Sequence, residues 1–219
     1  MNPKALMVLS LVVLAAFAGP SQAAGLATPD GLVPVHSRYL DELYLRPDAA
    51  LAGYRRVMID PVRVAFHRDW LKYKYASEVT RPIGEDGMKR IAETTAADAR
   101  AGLAEAFRAR GYEIVTASGP GVLRLSPSVA DLYVNAPDRL SSFRMKAFTR
   151  EAGEAVLLLD ARDSVSGALL GRVVHRGTAQ QMGRLTRASD VSNRFWFEAL
   201  LRRWAVHSAA EFQAGSIRP

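Results

Sequence analysis

The run from Trp70 to Tyr75 sets aromatic rings and amines side by side: Trp70, Lys72, Tyr73, Lys74 and Tyr75. Ammonium groups beside π-faces can hold anions, sugars or a protein surface by charge and stacking. The run falls in a long connection, 67–84, where binding residues tend to collect. These five residues form the candidate binding site. The plainer alternative is that the three rings cover a sheet edge while the lysines stay solvated.

Catalytic residue types are present but scattered. Asp60, Asp131, Asp160 and Asp163 lie on or beside apolar, strand-like stretches, and paired carboxylates at suitable separation do general acid–base work. Asp160 and Asp163 differ by three positions, however, which puts them on opposite faces of a regular strand. Asp163 opens a turn sequence and suits hydrogen bonds to the turn backbone. The serines show neither a G-x-S-x-G elbow nor an S-x-x-K pair. His36, His67, His175 and His207 stand apart, without H-E-x-x-H or H-x₃₋₅-H ligand spacing. His67 and His175 end or occupy strands that could approach each other, although rim histidines are the plainer explanation. Gly119-Pro120-Gly121 joins two strands and is read as turn geometry, not a phosphate loop. No catalytic residue, metal site or cofactor is assigned.

The elements that must position these residues are easier to read. Residues 54–66 form a strand in which Val57 and Ile59 share one parity and Val62, Val64 and Phe66 the other. An extra residue at Asp60-Pro61 would return both sets to one face, so a bulge is expected there. From Glu85 to Arg110, apolar or small residues at Met88, Ile91, Thr95, Ala99, Leu103 and Phe107 recur at helical spacing, and Gly111 supplies a left-handed stop. Residues 112–116 form a short strand. Residues 122–134 form a long one, bent at Pro127. Residues 136–150 cross over without a clear period. Residues 154–163 and 168–178 make a hairpin about Ser164–Gly167, followed by a loop at 180–187. A last helix, capped by Ser189 or Asp190, runs to about Phe212, with Phe197, Leu200, Leu201, Trp204, Ser208 and Phe212 on one face. Arg194, Glu198 and Arg202 form a charge ladder on another face, with Arg203 beside it.

This order gives an α/β fold: a two-layer sandwich with a mixed sheet of about five strands and two long helices on one face. The first strand–helix–strand unit is expected to be parallel and right-handed, and the turn-linked strands antiparallel. Residues 24–53 read as an extended arm in which residues 37–45 make a short helical turn pair or simply staple the arm to the domain. The domain proper spans 54–213 and a tail follows at 214–219.

Composition bounds the partners. The chain has 219 residues, a net charge of +7 and no cysteine. The missing thiols exclude disulfide scaffolds, thiolate metal sites and cysteine nucleophiles. Lys4, the apolar run 5–18, the breakers Gly19-Pro20 and the small-x-small site Ser21-Gln22-Ala23 have the layout of a signal peptide, with cleavage expected after Ala23. No later segment is apolar and long enough to span a bilayer as a helix. A periplasmic location follows, and removal of Lys4 lowers the positive charge by only one. Outside the cytoplasm that charge favours an envelope protein or an anionic envelope polymer over nucleic acid.

Three blocks carry a resemblance: Tyr54-x-x-Val57-Met58-Ile59-Asp60-Pro61-Val62, Gly119-Pro120-Gly121-Val122-Leu123-Arg124-Leu125, and Asp163-Ser164-x-Ser166-Gly167. In this order they resemble an uncharacterised bacterial family of secreted proteins and lipoproteins, domain of unknown function 3313. The resemblance covers roughly Gly31 to Phe212. It implies an envelope protein and supplies no catalytic residues to carry over. Many members look like lipoproteins, whereas this chain has no cysteine to acylate. A looser likeness links it to small α/β domains of envelope lipoproteins that help to assemble larger machines. The function expected is a non-enzymatic envelope binding or assembly protein. The alternative is an envelope hydrolase using dispersed Asp, His or Ser residues.

Overall fold

The computed structural model of the chain describes residues 30–47, 49–68, 84–134, 148–149, 151–180, 186–187 and 190–215. Ten strands and two long helices are present among them: β1 (Val33–Val35), β2 (Glu42–Leu45), β3 (Arg56–Ile59), β4 (Arg63–Phe66), α1 (Glu85–Arg108), β5 (Glu113–Val115), β6 (Val122–Val134), β7 (Phe148–Thr149), β8 (Glu151–Asp163), β9 (Leu169–Gln180), β10 (Thr186–Arg187) and α2 (Asp190–Gly215). Eight strands build one mixed sheet in the order β1-β2-β9-β8-β6-β3-β5, and β4 also pairs with β6. The α/β character and the two helices are as expected, but the sheet is larger than about five strands.

Part of the difference lies in the arm. Residues 37–45 form no helical turn pair. Instead β2 pairs antiparallel with β9, and β1 pairs antiparallel with β2. Leu43 and Leu45 turn into the core while Glu42 and Tyr44 alternate outward. That is a period of two across a short stretch whose apolar residues also fit a helical count. The β9 edge decides between the readings, because it offers the backbone partners that an isolated turn lacks.

The expected bulge is present. Both β3 and β4 run parallel to β6, with Ile59 opposite Leu125 and Arg63 opposite Ser128. One more residue therefore lies on the β3–β4 side than on β6. Val57 and Ile59 are buried, and Val62, Val64 and Phe66 pack against the same core. The parity flip at Asp60-Pro61 is thus absorbed by the bulge. Pro127 of β6 lies opposite this interruption, so the residue without an N–H sits where the neighbouring ladder is already broken. The register of β6 with β8 continues unbroken through Pro127. It shifts instead between Ala130 and Tyr133, where Asp131 has φ 50°.

A second correction concerns β5 and β6. A turn between them implied an antiparallel pair. They lie on opposite sides of β3 and both run parallel to it. This is possible because β5 has only three residues, so the chain must retreat only about 10 Å, at roughly 3.3 Å per residue, before starting β6. Gly121, at φ 68°, makes the turn into β6, and a β-carbon there would stand 3.4 Å from the Gly53 carbonyl oxygen. From there β6, β8 and β9 form the expected antiparallel set. Within the segment expected as a loop at 180–187, Thr186–Arg187 pairs with β7 as a separate two-stranded ribbon.

Both helices pack on one sheet face. α1 lies over β3, β4 and β5, and α2 over β8 and β9. The expected faces are the buried ones: Thr95, Ala99, Leu103 and Phe107 on α1, and Phe197, Leu200, Leu201, Trp204, Ser208 and Phe212 on α2. Gly111 ends α1 at φ 83°, with the Tyr112 N–H donating to the Phe107 carbonyl. The helices meet closely at Gly102, where a β-carbon would stand in ordinary contact, 3.6 Å from the Arg202 backbone. Glycines in the sheet admit the large rings of α2. A β-carbon at Gly177 would stand 2.7 Å from Leu200 and 3.0 Å from Trp204, and one at Gly171 would stand 2.8 Å from Phe212. Burial of Trp204, Leu200 and Phe212 contributes on the order of 1.5–3 kcal/mol each.

Candidate functional site

The other sheet face carries the polar side chains, and neither helix covers it among the described residues. Register places Tyr44, Arg172, Asp160 and Ser126 in one transverse row across four strands, and Asp60, just past the end of β3, extends it through its bond to Ser126. The Asp160 carboxylate accepts from Arg172 Nε at 2.7 Å and Nη2 at 3.0 Å, and from Arg162 Nη2 at 3.1 Å. Arg172 also donates to Asp30 at 2.9 Å. At the other end, Asp60 accepts from Arg124 Nε at 2.9 and 3.0 Å and from the Ser126 hydroxyl at 2.7 Å. Beside the row lies Leu158, 38% exposed.

The three sequence blocks meet at one corner of this sheet. The Asp163 Oδ1 accepts from the N–H groups of Val165 and Ser166, at 3.1 and 2.7 Å, and from the Ser166 hydroxyl at 2.8 Å. Its Oδ2 accepts from the Tyr54 hydroxyl at 2.9 Å. Ser164 Oγ lies 3.0 Å from the Gly119 carbonyl, to which it donates, and 3.1 Å from the Gly119 N–H, from which it accepts. The Arg56 guanidinium donates to the Pro120 carbonyl. The β3 start, the Gly-Pro-Gly turn and the β8–β9 hairpin are therefore cross-linked by side chains of the blocks themselves.

These contacts fix the protonation states. Burial pushes the Tyr54 phenol up, and its bond to Asp163 adds to this, bringing it to about 12. The Ser166 backbone N–H, with the Ser166 and Tyr54 hydroxyls, holds Asp163 below the usual carboxylate range. Burial acts to raise Asp160, but the hydrogen bonds and charges of Arg172 and Arg162 outweigh it and lower the group. Arg172 is raised by its bond to Asp160 despite partial burial. Asp160 and Asp163 are thus ionised acceptors near neutrality, poorly suited to give up a proton. They also lie apart, one in the row and one in the turn, as their spacing implied.

The candidate residues Trp70, Lys72, Tyr73, Lys74 and Tyr75 lie outside the described residues. His67, at the end of β4, sets its ring edge against Tyr133 at 6.2 Å between centroids. His175 lies near Trp204 and His207, at 6.0 and 6.4 Å, so the approach recorded for His175 is to α2. His36 is exposed. Among the described residues no group of three or more His, Cys, Asp or Glu could hold a metal ion, and no helix is long and apolar enough to cross a membrane. On α2, Arg202 pairs with Glu198 at 3.3 Å, while Arg194 reaches Asp98 of α1 at 3.7 Å. The ladder is thus half intrahelical and half an interhelical tie. The transverse row was not read from the sequence. Its only local signal is the outward parity of Arg124, Ser126, Asp160 and Arg172, and their meeting depends on register.

Among solved structures, the PelC dodecamer from Paraburkholderia phytofirmans aligns at 13% identity, covering 74% of this chain and 96% of that one, with a TM-score of 0.35. A point variant of that dodecamer aligns at 15% identity, over 74% and 94% of the two chains, with a TM-score of 0.36. A neuraminyllactose-binding hemagglutinin homologue from Helicobacter pylori aligns at 13% identity, over 75% and 86%, with a TM-score of 0.33. No curated protein matches the chain. The sequence pattern of one family matches residues 22–207, which include all three of the blocks that meet at the corner, and the chain accordingly belongs to the protein family of unknown function DUF3313.

Proposed function

We propose that the protein is an exported, periplasmic, non-enzymatic binding or assembly component of the cell envelope, and that it presents the open face of its sheet to a protein partner. The observation that carries this reading is the two-sidedness of the sheet. One face buries both helices, whereas the other displays ordered arginine–aspartate pairs beside a part-exposed Leu158. Pre-positioned arginines around an apolar centre suit a protein surface, because little side-chain freedom remains to be lost on binding. A polyanion is a poorer fit, since each of these arginines already faces a carboxylate. The depressed Asp160 and Asp163 support the non-enzymatic reading over the hydrolase.

The test is retention of envelope proteins by the immobilised mature chain. Leu158→Glu and Arg162→Glu should each reduce a specific partner at least tenfold, while Lys89→Glu on the far side, where Lys89 is exposed, should not. Equal retention by all three variants excludes the face. The run Trp70, Lys72, Tyr73, Lys74 and Tyr75, which follows β4 in the chain, is a second proposed contact, and its replacement in the same assay tests it separately. Export is checked by the mass of the mature chain, which should begin at Ala24.

A further inference from the structure

The open face carries a second transverse row beside the one through Asp160. Register aligns Glu42 of β2, Val174 of β9, Leu158 of β8, Ser128 of β6 and Arg63 of β4. Their chain neighbours Leu43, Val173, Leu157, Leu159 and Val129 are buried on the helix side, so alternation turns all five to the open face. Part-exposed Leu158 stands in the middle. Exposed Glu42 and Arg63 stand at the two ends. Glu42 accepts from the Tyr44 hydroxyl at 2.8 Å, and the Arg63 guanidinium has no partner among the described residues. The row thus has an acid at one end, a base at the other and an apolar centre. At about 4.8 Å per strand the two ends lie about 19 Å apart, too far to meet within one chain.

Resting on the reading of the open face as a surface for a protein partner, we propose that the partner is a second copy of this chain, packed sheet against sheet about a two-fold axis that runs along β8. Charge complementarity selects the axis. A two-fold axis between the sheets and parallel to β8 keeps each residue's position along the strands and reverses the order of the strands. Leu158 then meets its own copy, Val174 meets Ser128 of the second copy, and each Glu42 meets Arg63 of the other. An axis across the strands keeps the strand order instead, and sets Glu42 against Glu42 and Arg63 against Arg63. Only the first axis gives two opposite-charge contacts around a shared apolar centre. It also leaves the strands of the two sheets nearly aligned, as face-packed sheets prefer.

The neighbouring row fits the same axis. Tyr44 lies towards its β2 end and Asp60 at its far end, so the axis brings Tyr44 of one copy over Asp60 of the other, a phenol facing a carboxylate. Asp160 and Arg162 lie on the axis with Leu158. They are ion-paired with each other, and Asp160 also with Arg172, before association, so neither meets its copy as a bare charge. A contact with one part-exposed leucine per copy at its centre and polar groups around it belongs to the weak, reversible class.

The experiment is sedimentation equilibrium of the purified mature chain from about 5 to about 500 μM, the range of weak association, beside the envelope-retention assay. The wild-type mass should move from monomer towards dimer as concentration rises. Glu42→Arg and Arg63→Glu each set like charges at both end contacts, and each should weaken association by about tenfold or more. An equimolar mixture of these two variants should recover it, because both end contacts of the mixed pair again join opposite charges. That recovery requires both variants to be folded. Leu158→Glu should also weaken association by about tenfold or more. A wild-type chain that stays monomeric throughout overturns the second copy. If Leu158→Glu still loses an envelope protein in that case, the face binds a different protein and only the choice of partner has failed. A dimer that Leu158→Glu and both charge reversals leave intact, or a mixture that associates no better than its components, likewise overturns the proposal.

Discussion

Two corners of the same sheet are built on opposite principles. At the hairpin corner every described bond of the Asp163 carboxylate is made to a donor from its own turn or from Tyr54, and the group is ionised and satisfied. Where the β1–β2 connection meets α2, Trp204, His207 and Ser208 keep buried polar atoms without partners among the described residues. The first corner ties together segments more than a hundred residues apart, such as Tyr54 and Asp163, and has little reason to change. The second is tied through histidines, whose ordinary value lies closest to physiological pH. A saturated network specifies one arrangement, and an unsaturated one leaves a second arrangement within reach.

The contrast can be broken from either side. The largest effect is expected beneath α2. Gly177→Val would bring a β-carbon to 2.7 Å from Leu200 and about 3 Å from the Trp204 ring, costing about 3 kcal/mol or preventing folding, as read by urea denaturation. Removing the central acceptor of the other corner comes next. Asp163→Ala leaves Tyr54 and the turn donors without a partner and should cost about 1–2 kcal/mol, discounted from a fully buried case because the site is largely solvated. A smaller loss should separate the corners by pH. Asp163 and Asp160 are depressed, so their contribution is complete above about pH 4 and declines as the pH falls further, whereas the His207 contribution declines from about pH 6.5 downward. Stability followed by denaturation across that range should therefore fall in two steps, the upper one missing in His207→Phe. A single acid step in both proteins would refute the separation.

At high pH the hairpin corner has its own signature. Tyr54 is raised to about 12, so the stability it adds is present below about pH 10 and is lost as the pH rises through about 12. Tyr54→Phe should remove that limb and cost about 1 kcal/mol at neutrality. The smallest effect is expected on the helix surface. Arg202→Ala breaks only an exposed i, i+4 pair with Glu198 and should change stability by less than about 0.5 kcal/mol. A larger value would mean that the packing of the Arg202 stem matters more than its charge.

Much of the candidate site was visible as residues but not as a site. The Asp163 turn was legible because an aspartate bonds amides two and three residues away, and those are neighbours in sequence. Its bond to Tyr54 was not, since nothing local brings position 54 to position 163. The row through Arg172, Asp160, Ser126 and Asp60 was hidden for the same reason. Each outward residue is ordinary in its own strand, and the row exists only because four strands adopt compatible registers. His175 and His207 were seen as isolated, since the two positions meet only when α2 lies back over β9.

What the amino-acid order determined by itself was what short-range physics can decide. The apolar stripes of α1 and α2, the stop at Gly111, the hairpin about Ser164–Gly167 and the parity flip at Asp60-Pro61 all follow from side-chain period and backbone sterics. The tertiary structure alone decided that residues 33–45 become edge strands and that β6 runs parallel to β3 on the side opposite β5. It also decided that one sheet face meets helices while the other keeps its arginines and aspartates. In each of these cases the local preference is nearly balanced. The choice falls to backbone hydrogen bonds and packing partners that arrive from distant parts of the chain.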